Sequence, residues 1–212
     1  MRRKEFEMNE VENLEEIESF LQEMSFGFLG TVTADGEPGM TPLNFVYTNG
    51  SVYFHGSRIG EKMTQLKANE RVTFMAAKEY AIIPSYFTDP LMACPATAFF
   101  KSVRLDGRAA IVVDPHEKAA ALEALMRKLQ PEGGYKTIDA DDPDYFPRLK
   151  GVAVVRIDAD RITGKFKFGQ NMKASAKASI TDSLAKRDLP LDAETIDLMN
   201  RYCPHHNRAI GD

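Results

Sequence analysis

Residues 26–56, "FGFLGTVTADGEPGMTPLNFVYTNGSVYFHG", constrain the fold more than any other part of the chain. Three strand-like runs are separated by two breaks, Asp35-Gly36 and Asn49-Gly50. Both dipeptides tolerate the positive φ that a tight hairpin demands. A chain that reverses twice in so short a stretch builds antiparallel pairs, because parallel neighbours need a crossover of roughly a dozen residues or more.

The remaining pattern agrees. Residues 12–24 place Leu14, Ile17, Leu21 and Met24 on one helical stripe. Residues 58–69 read as a helix and 71–78 as a strand. A proline-containing loop leads to 98–113, "AFFKSVRLDGRAAIVV", which reads as a long strand pair with a bulge or bend at Gly107. Asp114, Pro115 and Glu117 form a helix start: an N-cap, a proline at the first position and a carboxylate reaching back. Leu122, Leu125, Met126 and Leu129 stripe that helix. Two strands follow, "GVAVVRI" and "RITGKFKFG", joined by a turn at Asp158-Ala159-Asp160. From about residue 172 the chain is polar and weakly patterned, with one helix near 192–201. Hairpins dominate and helices sit at the edges, which points to a mainly β chain folded as a small antiparallel barrel.

The charge of the 212 residues is −4, so no global field draws nucleic acid or a membrane surface. No apolar run is long enough to span a bilayer, and the first residues are too acidic and polar for a signal peptide. Cys94 and Cys203 lack metal-like spacing, so a reducing, cytoplasmic setting is expected.

The chemistry gathers at "YFHGSRIGEKM", residues 53–63. Strand alternation puts Val52 and Phe54 on one face and Ser51, Tyr53 and His55 on the other. Gly56 permits a close backbone approach, and Ser57 suits an N-cap. Ile59, Met63 and Leu66 stripe the helix, and Lys62 falls on the flank of that stripe. A lysine there either snorkels outward or meets an anion, and first-turn amides also favour an anion. Spacing alone leaves both readings open. Neither a P-loop nor a dinucleotide-binding glycine motif is present.

Three further features bear on the reading. The "CPHH" run holds Cys203, His205 and His206, but a mobile polar tail explains it better than a metal does, and no metal is expected. Asp141, Asp142 and Asp144 read as a solvated loop. Cys94 reads as packing.

The stretch "GTVTADGEPGMTPLNFVYTNGSVYFHGSRIGEKMTQLKANERVTF" resembles the pyridoxamine 5′-phosphate oxidase-like, FMN-binding split-barrel superfamily, nearest its nitroimidazole-resistance and flavin-nucleotide-binding branch. "FFKSVRLDGRA" and "TGKFKFGQN" are similar to later strands of that family. The resemblance covers roughly residues 18–172. It implies a split antiparallel β-barrel of about six or seven strands with flanking helices. Residues 1–172 would form the FMN-binding domain with its N-terminal helix, and 173–212 a partly helical extension rather than a separate domain. It also implies a homodimer with FMN at the subunit interface.

By that resemblance, Thr41, Pro42, Leu43 and Asn44 lie along the flavin ring. His55, Gly56, Ser57 and Lys62 hold the phosphate, with Arg58 a further contact. Ser102 meets the flavin, and Gln170 and Asn171 approach it. The implied activity is an FMN-dependent oxidoreductase that passes electrons from NADH or NADPH to a small nitro, quinone or similar acceptor. The alternatives are a non-catalytic flavin sensor or reservoir, and a haem-binding protein ligated by His55. The chain departs from the true pyridoxamine phosphate oxidases. Its "MTPLNFVY" strand lacks their basic residue, and with no tryptophan it lacks their C-terminal recognition segment. Those departures argue against that particular activity.

Overall fold

The computed structural model describes residues 7–202, with side chains from residue 13 onward. Cys203, His205 and His206 lie outside the described residues. The chain runs β1 (Glu7–Asn9), α1 (Glu10–Glu23), β2 (Phe26–Val32), β3 (Pro38–Asn44), β4 (Val46–Thr48), β5 (Ser51–Gly56), α2 (Glu61–Ala68) and β6 (Arg71–Ile83). It continues through a short 3-10 turn, then β7 (Thr97–Ile111), α3 (Pro115–Leu129), α4 (Phe146–Gly151), β8 (Ala153–Lys167), α5 (Ala174–Arg187) and α6 (Asp192–Arg201). Contacts divide it into two compact units. One comprises Asn9–Ala76 with Val103–Thr163; the other comprises the residues before Asn9, Ala77–Ser102 and the residues from Gly164 on. The chain passes between them along β6, β7 and β8.

The strand order is β3-β2-β6-β7-β8-β5-β4, with β1 paired to β8 outside that path. β3 and β4 are the two ends of the order, yet only Phe45 separates them in the chain. One residue spans at most about 7 Å, so the two edge strands approach there without pairing, and the curled sheet is a split barrel rather than a closed one. Phe45 is fully buried at that corner, and its N–H donates to Ser25 O at 3.2 Å. The mainly β, split-barrel expectation is therefore met, with seven strands on the continuous path.

The hairpin signals act in different ways. Asn49 and Gly50 both have positive φ (51° and 76°) and make a two-residue turn between the paired Thr48 and Ser51. Asp35-Gly36 sits in a longer connection, because the β2–β3 register closes at Val32 and Pro38. Thr33 N–H donates to Glu37 O across it at 2.9 Å.

Several elements depart from the expected ones, each for a local reason. The 98–113 segment is one uninterrupted strand rather than a pair. Gly107 neither breaks nor ends it. A Cβ there would stand 2.1 Å from Asp158 O and 2.9 Å from Ala159 Cα, so the glycine lets β7 and β8 pass in close contact. The same contact explains why Asp158-Ala159-Asp160 is not a turn: β8 runs straight through it. Glu117 does not reach back to its own helix start. Its carboxylate accepts from Tyr53 Oη (3.1 Å) and Arg156 Nη1 (2.7 Å), while Asp114 caps the helix by accepting from His116 N–H at 3.0 Å. The α1 stripe is Ile17, Phe20 and Leu21, with Leu14 left 41 % exposed.

α3 explains a further departure, on β5. Ser51, Val52, Tyr53 and Phe54 are all buried, so exposure does not alternate along the strand. Tyr53 packs with Val46, Val112, Ala121, Leu125 and Val154 in one cluster, which puts the α3 residues Ala121 and Leu125 over the second face of the sheet.

The second unit holds an aromatic core. The Phe168 and Tyr202 rings stack at 5.6 Å, and Tyr80 meets Phe168 edge-on at 5.3 Å. Two helices follow Gly164 where only the one near 192–201 is read from sequence. α5 buries just Ile180 and Leu184, one turn apart, too sparse a stripe to stand out among alanines and serines. Arg187, in its last turn, donates to both carboxylate oxygens of the buried Asp192. Among the described residues, no helix is long and apolar enough to cross a membrane.

Candidate functional site

The β5–α2 junction is built from the barrel outward. Gly56 ends β5 paired with Ala153 of β8. The helix begins later than its sequence suggests. Gly60 (φ 112°, ψ 170°) precedes the first helical residue, and Ser57 does not cap it. Instead Ser57 Oγ accepts from Ile59 N–H at 3.2 Å, which folds residues 57–60 into a tight connection. Because Ser57 is an acceptor in that bond, its own O–H stays available to donate. Ile59 lies outside the helix and is 82 % exposed.

What seats α2 is a pair of polar residues that the apolar pattern does not reveal. Thr31 Oγ donates to Gln65 Oε1 at 2.5 Å, and both residues are buried. Gly39 of β3 makes room for them, since a Cβ there would lie 2.8 Å from Thr31 Oγ. Lys62 stands three residues before Gln65 and so shares its side of the helix. The signal that could have found this docking is an amide at a stripe position facing a strand threonine.

Lys62 Nζ lies 3.5 Å from where a Cβ of Gly56 would stand, and 4.9 Å from the centroid of the Phe54 ring. Among the described residues no carboxylate pairs with it. Burial lowers its pKa. His55 keeps an exposed edge, yet burial, and then the nearby Lys62 charge, lower its pKa too. One lysine and one titratable imidazole thus flank Gly56 with no carboxylate paired to either among the described residues. That arrangement suits an incoming anion, which would favour the charged form of both.

The β3 residues divide between two faces. Through the β2 register, Pro42 pairs with Phe28 and Asn44 with Phe26, and these are exposed. Leu43 pairs with Gly27 and is buried, on the same side as Thr41. Asn44 Nδ2 donates to Ser25 O at 2.9 Å, which fixes the amide and leaves its oxygen free to accept.

Arg58 takes a different place from the rest of its stretch. Its Nη1 donates to Lys150 O at 3.2 Å, and it lines a separate cleft with Met63 and Lys67. Ser102, Gln170 and Asn171 belong to the second unit. Ser102 is buried on β7. Gln170 is engaged at both ends: its oxygen accepts from Phe168 N–H (2.7 Å) and its nitrogen donates to Phe166 O (2.6 Å). Asn171 is exposed beside it. Among the described residues no group of acidic, histidine or cysteine side chains has the arrangement to hold a metal. The acidic loop is tied down by Lys136, which pairs with Asp142 at 2.5 Å and Asp144 at 3.0 Å. Cys94 is exposed rather than packed.

Comparison with known proteins places this architecture. Among solved structures, a candidate 5-nitroimidazole antibiotic resistance protein from Bacteroides thetaiotaomicron is 25 % identical, with TM-score 0.58 over 75 % of this chain and 86 % of that one. The flavocytochrome Anf3 from Azotobacter vinelandii is 20 % identical, with TM-score 0.66 over 84 % and 78 %. A FAD and haem binding protein from Mycobacterium smegmatis is 14 % identical, with TM-score 0.62 over 84 % and 80 %. The last two likenesses are of fold. No curated protein matches the chain. The family model of pyridoxamine 5′-phosphate oxidase matches residues 13–166, most of the barrel and its helices, as the resemblance in the β2–β6 stretch implies. The chain belongs to the pyridoxamine 5′-phosphate oxidase family.

Proposed function

We propose that the chain is an FMN-binding flavoprotein whose phosphate site is the β5–α2 junction. The observation that carries this reading is Lys62: a half-buried lysine with no carboxylate partner among the described residues, set beside Gly56 and His55. A phosphate would be met by the Lys62 ammonium, the Ser57 hydroxyl and the first-turn amides of α2, charge-assisted bonds of the stronger kind. Gly56 offers the concavity, since any side chain there would stand against Lys62. Asn44 Oδ1 and the exposed edge of β3 are the groups for the ring. When bound, the flavin supplies the electron-transfer chemistry, and the protein supplies binding, orientation and local electrostatics. The activity that follows is an oxidoreductase reducing a small nitro, quinone or similar acceptor with NADH or NADPH.

A homodimer fits the same face. Phe26, Phe28, Met40 and Met75 are 47, 43, 68 and 39 % exposed on adjacent strands of one sheet. Phe28 pairs with Pro42 on one side and Met75 on the other, so the apolar row crosses β3, β2 and β6. A second copy covering that row would enclose a flavin lying along β3.

The test begins with the absorption spectrum after reconstitution with FMN and with haem. A flavin spectrum with no Soret band is the expected result; haem alone would overturn the reading. Lys62→Ala is then expected to weaken FMN binding by about 1.5–3 kcal/mol, roughly ten- to a hundredfold. Unchanged affinity removes Lys62 from the site. Turnover with NADH or NADPH above that of free FMN supports the enzyme, and bound flavin without turnover supports a reservoir.

A further inference from the structure

The opposite flank of α2 carries a second feature. Met63 and Lys67, four residues apart, line a cleft of about 430 Å³ with Arg58, Lys118 and Lys150. Its apolar wall is formed by Ile111, Val112, Val113, Val152 and Ala153. Among the described residues no acidic side chain is part of the lining. None of the four cations has a carboxylate partner among the described residues, whereas Arg71, Arg104, Arg108, Arg127, Arg156 and Arg187 are all ion-paired. In a chain with 31 acidic and 27 basic residues, four cations without a carboxylate partner among the described residues, Lys150 set over the Phe146 ring at 4.1 Å, are a local reversal of charge around one cavity.

The cations differ in how they are held. Lys118 Nζ donates to Leu149 O and Val152 O, both at 3.1 Å, which fixes the ammonium and leaves its third N–H. Burial, and then the charge of Arg58, lower the Lys118 pKa. Arg58 is anchored through Lys150 O with the rest of its guanidinium free. Lys67 is exposed on the rim. The wall beside them is apolar, and Val113 at the mouth is 87 % exposed.

We infer that this cleft binds a small organic anion with an apolar body, such as a phosphate monoester, independently of the flavin site. The cations would take its anionic head, and Met63, Ile111 and Val112 its body. A volume of about 430 Å³ falls in the range of small-molecule sites.

Isothermal titration of the full chain with phenyl phosphate tests this, with inorganic phosphate and phenol as separate head and body probes. Phenyl phosphate is expected to bind at least about tenfold more tightly than either, and more weakly as salt rises. Lys67→Glu, on the exposed rim, is expected to weaken it by about tenfold or more without changing the melting temperature. Lys118→Met should act in the same direction, and if it unfolds the chain Lys67→Glu alone decides. Lys62→Ala should leave intact the phenyl phosphate binding that Lys67→Glu removes, and take away only probe held at the proposed flavin phosphate site. If Lys62→Ala abolishes binding instead, the probe occupies the flavin phosphate site and the inference fails. It also fails if phenyl phosphate binds no better than its parts, or if Lys67→Glu has no effect. None of these outcomes depends on whether FMN binds.

Discussion

Lys128, on α3, is half-buried against the Phe45 corner of the sheet. Its Nζ donates to Leu21 O at 2.9 Å and lies 4.4 Å from the centroid of the Phe45 ring. Burial lowers its pKa from 10.5 to about 8. In the unfolded chain the ordinary value returns. Between about pH 8 and 10.5 the unfolded state therefore holds a proton that the folded state has lost. Where the unfolded state binds more protons, stability rises with pH. Lys128 thus contributes a rise across that window, and below pH 8 the full cost of burying the ammonium is present. At 1.36 kcal/mol per pH unit, the contribution is on the order of 3 kcal/mol at most. Residual solvent access reduces it.

The assay compares wild type with Lys128→Met, which keeps an unbranched chain against Phe45 and removes the titration. Urea unfolding at pH 7.5, 9 and 10.5 gives the difference between the two at each pH. Other lysines and tyrosines titrate in both proteins and cancel. The wild type is expected to gain about 1–3 kcal/mol on the variant from the lowest pH to the highest. A carbon-13 titration of the lysine Cε signals should show one resonance with a midpoint near 8 that is missing from the variant. A constant stability difference, with every lysine titrating near its ordinary value, refutes the reasoning.

Two other outcomes follow from the strands. Gly107→Ala is expected to cost about 3 kcal/mol, because its Cβ would sit 2.1 Å from Asp158 O, whereas Gly56→Ala, at 3.5 Å from Lys62 Nζ, should change stability little; thermal melts of both separate them, and equal melting would contradict the close β7–β8 approach. Phe28→Asp should convert a dimer into a monomer in size-exclusion with light scattering, and a wild-type chain that is monomeric while holding FMN would exclude the apolar row as the subunit interface.

The sequence reveals what depends on neighbours along the chain. The Asn49-Gly50 turn, the Asp114 cap and the β2–β5 order are all legible, because positive φ, a carboxylate before a proline and alternating runs act locally. What it conceals depends on contacts across the fold. Gly107 looks like an interruption until the distance to Asp158 is known, and Asp158-Ala159-Asp160 looks like a turn for the same reason. Ser57 has the composition of a cap, but the backbone at Gly60 delays the helix beyond its reach. At the site, the grouping of His55, Gly56 and Lys62 follows from a strand ending in a helix. The departure of Arg58 does not, since its acceptor is a carbonyl of Lys150, distant in sequence.

α2 has eight residues, too few for an isolated helix to persist in water. Its position is set by what it touches: Met63 and Leu66 are buried, and Gln65 is bonded to Thr31 and to Glu61 Oε1 at 3.0 Å. The backbone of β3 at Gly39 leaves no room for a side chain between them. Strand β2 therefore orients Lys62 through Thr31 and Gln65, although it contributes no group to the proposed anion site. A binding site on so short a helix inherits its precision from the barrel. For the same reason, the two flanks of α2 are held as one body: Lys62 on one and Met63 and Lys67 on the other cannot shift independently while Thr31 and Gln65 remain paired. Removing that pair should disturb both flanks together, whereas changing either cation alone should disturb only its own side.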